Sequence, residues 1–190
     1  MKLISMFIGA VLINNIVLSR FLGCCPFLGV SKNSKSAIGM GLAVIFVILS
    51  SSLITYCIHY VILVPLHIEY MQLISFILVI ASFVQFVEMF LKKKLPSLYN
   101  SLGVYLPLIT TNCIVLFVAQ NNISEGYSLI ETIVNSISVP LGFMLVLYIF
   151  SCIRERLDGA DSPKAWKGNP IGLIVAGLMA LALSGLAGIV

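Results

Sequence analysis

Six long apolar segments divide this chain, and all but one of its eleven lysines and arginines fall on one side of them. The segments read as 3–22, 37–63, 71–91, 102–120, 129–152 and 170–190. Each is long enough to cross a hydrocarbon core of ~30 Å at ~1.5 Å per helical residue. The first, third and fifth connections carry Arg20, Lys32 and Lys35, then Lys92, Lys93 and Lys94, then Arg154, Arg156, Lys164 and Lys167. Lys2 alone lies opposite. Positively charged loops stay cytoplasmic. Both termini are therefore expected outside a bacterial inner membrane, with loops 23–36, 92–101 and 153–169 in the cytoplasm. The remaining connections agree, because they offer only His67, Glu69, Glu125 and Glu131.

Composition narrows the class further. Sixty per cent of residues are hydrophobic and 9% charged, with a mean hydropathy of +1.12, well outside the soluble range. Six spans in 190 residues leave no room for a soluble domain, so residues 1–190 form one membrane domain. The net charge of +4 follows from topology. No basic stretch is interleaved with stacking aromatics, which argues against a nucleic-acid partner and leaves lipid as the surroundings. The first segment starts at residue 3 after a single Lys, without a small-residue cleavage site, and reads as a retained helix.

An internal echo organises the spans. Asn14-Asn15-Ile16-Val17-Leu18 in the first segment resembles Asn112-Cys113-Ile114-Val115-Leu116 in the fourth, 112 − 14 = 98 residues later. Three crossings separate the two, so the halves, about 1–95 and 100–190, would have opposite orientation. The expected fold is an all-α integral membrane protein with six transmembrane segments in a 3+3 inverted repeat, an arrangement typical of transport folds. The first and fourth helices are expected to be broken. Gly23-Cys24-Cys25-Pro26-Phe27-Leu28-Gly29 follows the first segment, and Gly103, Pro107 and Thr110-Thr111-Asn112-Cys113 lie in the fourth. Proline removes a backbone donor, and irregular backbone within a membrane survives only where protein or a cavity shields it. A simple proline kink is the competing reading.

The cysteines sort by context. Cys57 and Cys152 sit in apolar stretches and are assigned to packing. Cytoplasmic thiols stay reduced, so disulfides are not expected. No Cys-x-x-Cys pair occurs, which leaves a self-contained zinc or iron–sulfur site without support. Two thiols on opposed broken helices would make half of a four-thiolate site, with a related chain supplying the rest.

Several runs together resemble a known family. Phe21-Leu22-Gly23-Cys24-Cys25-Pro26-Phe27-Leu28-Gly29-Val30-Ser31-Lys32 and Leu106-Pro107-Leu108-Ile109-Thr110-Thr111-Asn112-Cys113 closely resemble the A-subunit family of Rnf electron-transport complexes. Gln85-Phe86-Val87-Glu88-Met89, Ile153-Arg154-Glu155-Arg156 and Ala176-Gly177-Leu178-Met179 do so as well. The likeness spans the chain; the E subunits of sodium-pumping NADH:quinone reductases are the nearest alternative.

That resemblance implies a subunit of a translocase, inactive alone, in a complex coupling electron flow between ferredoxin and NAD to Na+ or H+ movement. It implies an intramembrane [2Fe–2S] cluster shared with a paralogous E subunit, two cysteines from each. The ligands carried over are Cys25 and Cys113; Cys24 is a departure from the family pattern. FMN, NAD and further iron–sulfur clusters would belong to other members of the complex, B, C, D, E and G. Asn15, Thr110, Thr111 and Asn112 are candidates to hydrogen-bond the cluster or cap half-helices, and interhelical hydrogen bonding is their plainer role.

Sharing a cluster demands that residues 19–30 dip back into the membrane, because a simple count leaves Cys25 near the surface and Cys113 near the centre. Gly23, Pro26 and Gly29 would permit the turns. Arg20 is expected to anchor the cytoplasmic interface, and Glu88 precedes Lys92 by one helical turn, the order that favours an ion pair. Two other functions stay open: a small secondary transporter with no redox centre, and an inert scaffold for redox subunits.

Overall fold

A computed structural model describes residues 6–13, 15–31, 34–66, 69–94, 112–159 and 168–185, and every regular element among them is helical. A π-helical turn, Gly9–Ile13, leads into two short helices, α1 (Ile16–Arg20) and α2 (Cys24–Val30). The longer helices are α3 (Ser34–Ile58), α4 (Gln72–Lys94), α5 (Cys113–Ser124), α6 (Leu129–Asp158) and α7 (Asn169–Ser184). A π-helical turn, His59–Leu63, extends α3. Among the described residues, three stretches are long and apolar enough to cross a membrane: Ala37–Leu63, Gln72–Met89 and Leu129–Leu157. Cys113–Ser124 and Asn169–Ser184 are apolar but shorter.

Local chemistry explains where these helices begin and end. Asn15 caps α1 and Asn112 caps α5, each side-chain oxygen accepting from the second helical N–H, Val17 and Ile114, at 3.2 Å. Ser128 opens α6 through a capping box with Glu131, which satisfies two otherwise orphaned donors. After α5 the chain reverses at Gly126, at φ 62°. The Gly126 and Tyr127 amides donate back to the carbonyls of Ile123 and Asn122, a Schellman closure. The short connection makes α5 and α6 antiparallel neighbours.

Helix α6 is the centre of the molecule. It packs most extensively on α3 and also meets the Gly9–Ile13 turn, α1 and α5. The fully buried side chains Met40, Ile48, Phe76, Ile114, Phe143, Leu147 and Phe150 form the continuous core. Gly142 admits the first segment to α6. A Cβ there would lie 3.0 Å from the Val11 carbonyl oxygen and 3.0 Å from Asn15 Nδ2. Polar contacts cross the core as well: Asn135 Nδ2 donates to Asn122 Oδ1 at 2.6 Å, and Asn122 Nδ2 to Ser136 Oγ at 3.2 Å.

The first segment is broken, as Gly23 and Pro26 led one to expect. The fifth segment departs from expectation. Its expected end was residue 152, with Arg154 in a loop; α6 instead continues to Asp158. The reason is the buried Arg154 side chain, whose hydrogen bonds to the end of α2 and the start of α7 hold that last turn in place. Residues 102–111, where a break in the fourth helix was expected, lie outside the described residues.

Candidate functional site

The site is built by two chain reversals that bring helix starts together. Phe21 closes α1 in the left-handed region at φ 53°, and Gly23 follows at φ 79°. Only glycine suits that second position, for conformation and for space. A Cβ on Gly23 would stand 2.5 Å from Ile114 Cδ1 and 3.4 Å from Asn112 Oδ1. The turn that precedes Cys24 and Cys25 therefore rests against the start of α5. Cys24 is close enough to interact electrostatically with both Cys25 and Cys113. The return of residues 19–30 toward the fourth segment is thus observed.

Depth can be read from α6. Asn15 Nδ2 donates to the Gly142 carbonyl at 2.9 Å, near the midpoint of this 30-residue helix. At its far end α5 is level with the first turns of α6, where Asn122 meets Asn135 and Ser136. Counting back to Asn112 covers ~15 Å and returns to the middle of α6. Helix α2 runs the other way: Phe27 stacks on Phe150 with ring centroids 4.2 Å apart, toward the C-terminal end of α6. Two helix starts, one at Cys24 and one at Cys113, therefore meet midway along the spanning helix and diverge.

The thiols differ in their surroundings. Cys25 and Cys113 are exposed, while Cys24 is half-buried and donates from Sγ to the Phe21 carbonyl at 2.8 Å. Cys25 and Cys113 each lie in the first turn of a helix. Asn112 adds a donor. Its Oδ1 is committed to the Ile114 amide, and its Nδ2 is buried without an acceptor. Among the described residues, no three His, Cys, Asp or Glu side chains are grouped so as to hold a metal ion.

Some expected residues fall elsewhere. Asn14, Thr110 and Thr111 lie outside the described residues. Asn15 is brought to Gly142 and caps α1, the plainer of its two roles. The caps correct the register of the internal echo: Asn15 and Asn112 occupy equivalent positions, 112 − 15 = 97 residues apart, with ψ of 116° and 118°. Cys57, assigned to packing, is exposed, and Cys152 is half-buried. Arg20, expected to anchor the cytoplasmic interface, is exposed, with its guanidinium 4.8 Å above the Phe117 ring.

The residue that sequence reasoning missed is Arg154. It is 3% exposed, donating from Nη1 to the Leu28 carbonyl and Ser31 Oγ, both at 2.8 Å, and from Nη2 to Asn169 Oδ1 at 3.0 Å. It thereby ties the end of α2 to α6 and to the start of α7. Its one available signal was its place in the Ile153-Arg154-Glu155-Arg156 run.

Comparison with known proteins is concordant along the whole length. The family model described as Rnf-Nqr subunit, membrane protein, matches residues 3–190. The A subunit of the Na(+)-translocating ferredoxin:NAD(+) oxidoreductase complex of Acetobacterium woodii is 57% identical over 188 residues, 99% of this chain and 98% of that protein. The A subunit of the ion-translocating oxidoreductase complex of Syntrophotalea carbinolica is 53% identical over 189 residues, 100% of this chain and 98% of its own. Its namesake in Vibrio vulnificus is 53% identical over 187 residues, 98% and 97% respectively.

Proposed function

The chain belongs to the Rnf-Nqr family of membrane proteins, and on that premise we propose that it is an electron-relaying membrane subunit of an ion-translocating oxidoreductase complex. In this reading Cys25 and Cys113 hold one half of a [2Fe–2S] cluster, and a paralogous E subunit supplies the other two thiolates. The observation that carries it is the meeting of two helix starts midway along α6, each with an exposed cysteine in its first turn.

The residues fit such a centre. Two exposed thiols are half of a four-thiolate set, and their exposure leaves a face for the second chain to close. The orphaned Asn112 Nδ2 beside Cys113 is a donor for a thiolate or sulfide, the kind of bond that tunes a buried redox centre. Cys24 is left out because its thiol is committed to the Phe21 carbonyl. When bound, the cluster supplies a one-electron acceptor and donor within the membrane. The protein's own part is to hold the thiols at mid-depth and shield the broken backbone.

The equivalent caps at Asn15 and Asn112 support a 3+3 inverted repeat of six segments. Electrons would pass between carriers on the other Rnf subunits, B, C, D, E and G, where FMN, NAD and further clusters reside, with Na+ or H+ movement coupled to the transfer. Both termini would face out of the bacterial inner membrane.

Iron and acid-labile sulfide counts on the purified complex test this. Cys25→Ser and Cys113→Ser should each lose one [2Fe–2S] equivalent, and Cys24→Ser should lose none. Unchanged iron in assembled Cys25→Ser and Cys113→Ser complexes would return those thiols to packing and leave a redox-silent transporter or scaffold.

A further inference from the structure

Arg20 is a charged group to which the proposed relay assigns no part. It closes α1, and its guanidinium is seated 4.8 Å above the Phe117 ring. Phe117 follows Cys113 by one helical turn and lies on the same face of α5. At ~1.5 Å per residue, that seat is ~7 Å beyond Asn112, still well inside a hydrocarbon core whose half-thickness is ~15 Å. Arg20 is exposed, and α1, α2, α3, α5 and α7 contain no Asp or Glu; the carboxylates on the other packed helices are Glu88 on α4 and Glu131, Glu155 and Asp158 near the ends of α6. A cation at that depth is costly, and a nearby anionic partner is the usual reason for keeping it. Cys113, four residues before Phe117 on α5, and Cys25, five residues after Arg20, are exposed, and both would become anionic ligands on binding iron.

We propose that Arg20 is a positioning charge that raises the reduction potential of the centre held by Cys25 and Cys113. The inference rests on the proposed cluster and concerns a residue outside its ligand set. A four-thiolate iron–sulfur centre is anionic and gains one further negative charge when it accepts an electron. A fixed cation therefore stabilises the reduced state more than the oxidised one. Arginine keeps its charge at every relevant pH, so Arg20 exchanges no proton and takes part in no bond. The Phe117 ring holds the planar guanidinium by a cation–π contact, which strengthens when desolvated. Unit charges ~10 Å apart at an effective dielectric of ~20 shift a one-electron equilibrium by about tenfold.

The test is a redox titration of the intact complex, following the cluster by electron paramagnetic resonance, with iron counted in the same samples. Arg20→Gln should keep its iron and shift the equilibrium toward the oxidised form by about tenfold, ~59 mV for a one-electron couple. Arg20→Lys should stay near wild type. If Arg20→Gln loses iron, Phe117→Leu carries the test, because it keeps the charge and removes its seat; a lowered potential there supports the proposal. Retained iron with an unchanged potential overturns it while leaving the cluster assignment standing. Absence of this cluster from wild-type complex removes both.

Discussion

Replacing Arg154 by methionine removes a side chain that ties α6 to the end of α2 and the start of α7. The three bonds, at 2.8, 2.8 and 3.0 Å, are all charge-assisted. A hydrogen bond to a charged group contributes ~1.5–3 kcal/mol net, so the set amounts to roughly 5–9 kcal/mol before desolvation. Burying a guanidinium to 3% exposure costs several kcal/mol, and methionine recovers that part. The balance is a loss of ~2–4 kcal/mol, within the range found when a buried charge partner is removed. Because the Leu28 carbonyl terminates α2, its negative dipole end loses its cation as well.

Equilibrium unfolding in mixed micelles, with the protein in its complex, measures the change. Arg154→Lys should fall between wild type and Arg154→Met, since an ammonium lacks the fork that reaches Leu28, Ser31 and Asn169 together. A double-mutant cycle with Asn169→Ala isolates one contact and should give a coupling of ~1 kcal/mol or more. Loosening α2 should also speed maleimide labelling of the half-buried Cys24. An Arg154→Met protein within ~0.5 kcal/mol of wild type, the scatter expected of a surface change, would refute the clamp. Strict additivity with Asn169→Ala would remove the contact to α7 from the account.

Gly142→Ala would place a methyl 3.0 Å from the Val11 carbonyl oxygen and 3.2 Å from Val11 Cα. Overpacking of this kind costs ~1–3 kcal/mol, whereas alanine in an unconstrained helix gains ~1 kcal/mol over glycine. A stabilised variant in the same unfolding assay would therefore contradict the close approach of the first segment to α6. Asn122→Leu strands the Asn135 amide and Ser136 hydroxyl, and an effect of ~1 kcal/mol is expected, between membrane double-mutant values and the cost of a buried orphan. Adding Asn135→Leu should recover part of it, and no recovery would show that the network is not what Asn122 supplies.

Much of the fold was legible because it follows from length and local chemistry. The long spans α3, α4 and α6 appear where apolar runs exceed what a membrane needs. Gly23 and Pro26 announced a turn that continuous helix could not absorb, and the positive φ at Gly23 bears that out. The register of the echo was missed by one residue for a definable reason. Sequence similarity aligns Asn14 with Asn112, but capping depends on which asparagine adopts an extended conformation, and an Asn-Asn pair leaves that open. Only the contact of Asn15 Nδ2 with the Gly142 carbonyl decides it. The return of the Gly23 turn to the start of α5 depends on how Ile114 packs over Gly23, a contact that no local pattern encodes.

Two arginines show why charge counting says little about the role of an individual side chain. Orientation is a sum over many charges, so it does not depend on Arg20 or Arg154 alone. Lys32, Lys35, the Lys92–Lys94 run, Arg156, Lys164 and Lys167 still lie on the same connections. Role depends on each side chain separately. A lysine is a flexible, strongly hydrated point charge, suited to an interface. An arginine offers a planar fork with several fixed donors and a weaker hold on water. Arg154 uses that fork to reach three acceptors on two elements, and Arg20 places its guanidinium over an aromatic ring. In a chain whose basic residues are mostly lysine, an arginine close to an apolar segment is the residue to examine for an internal partner before it is counted as a topological anchor.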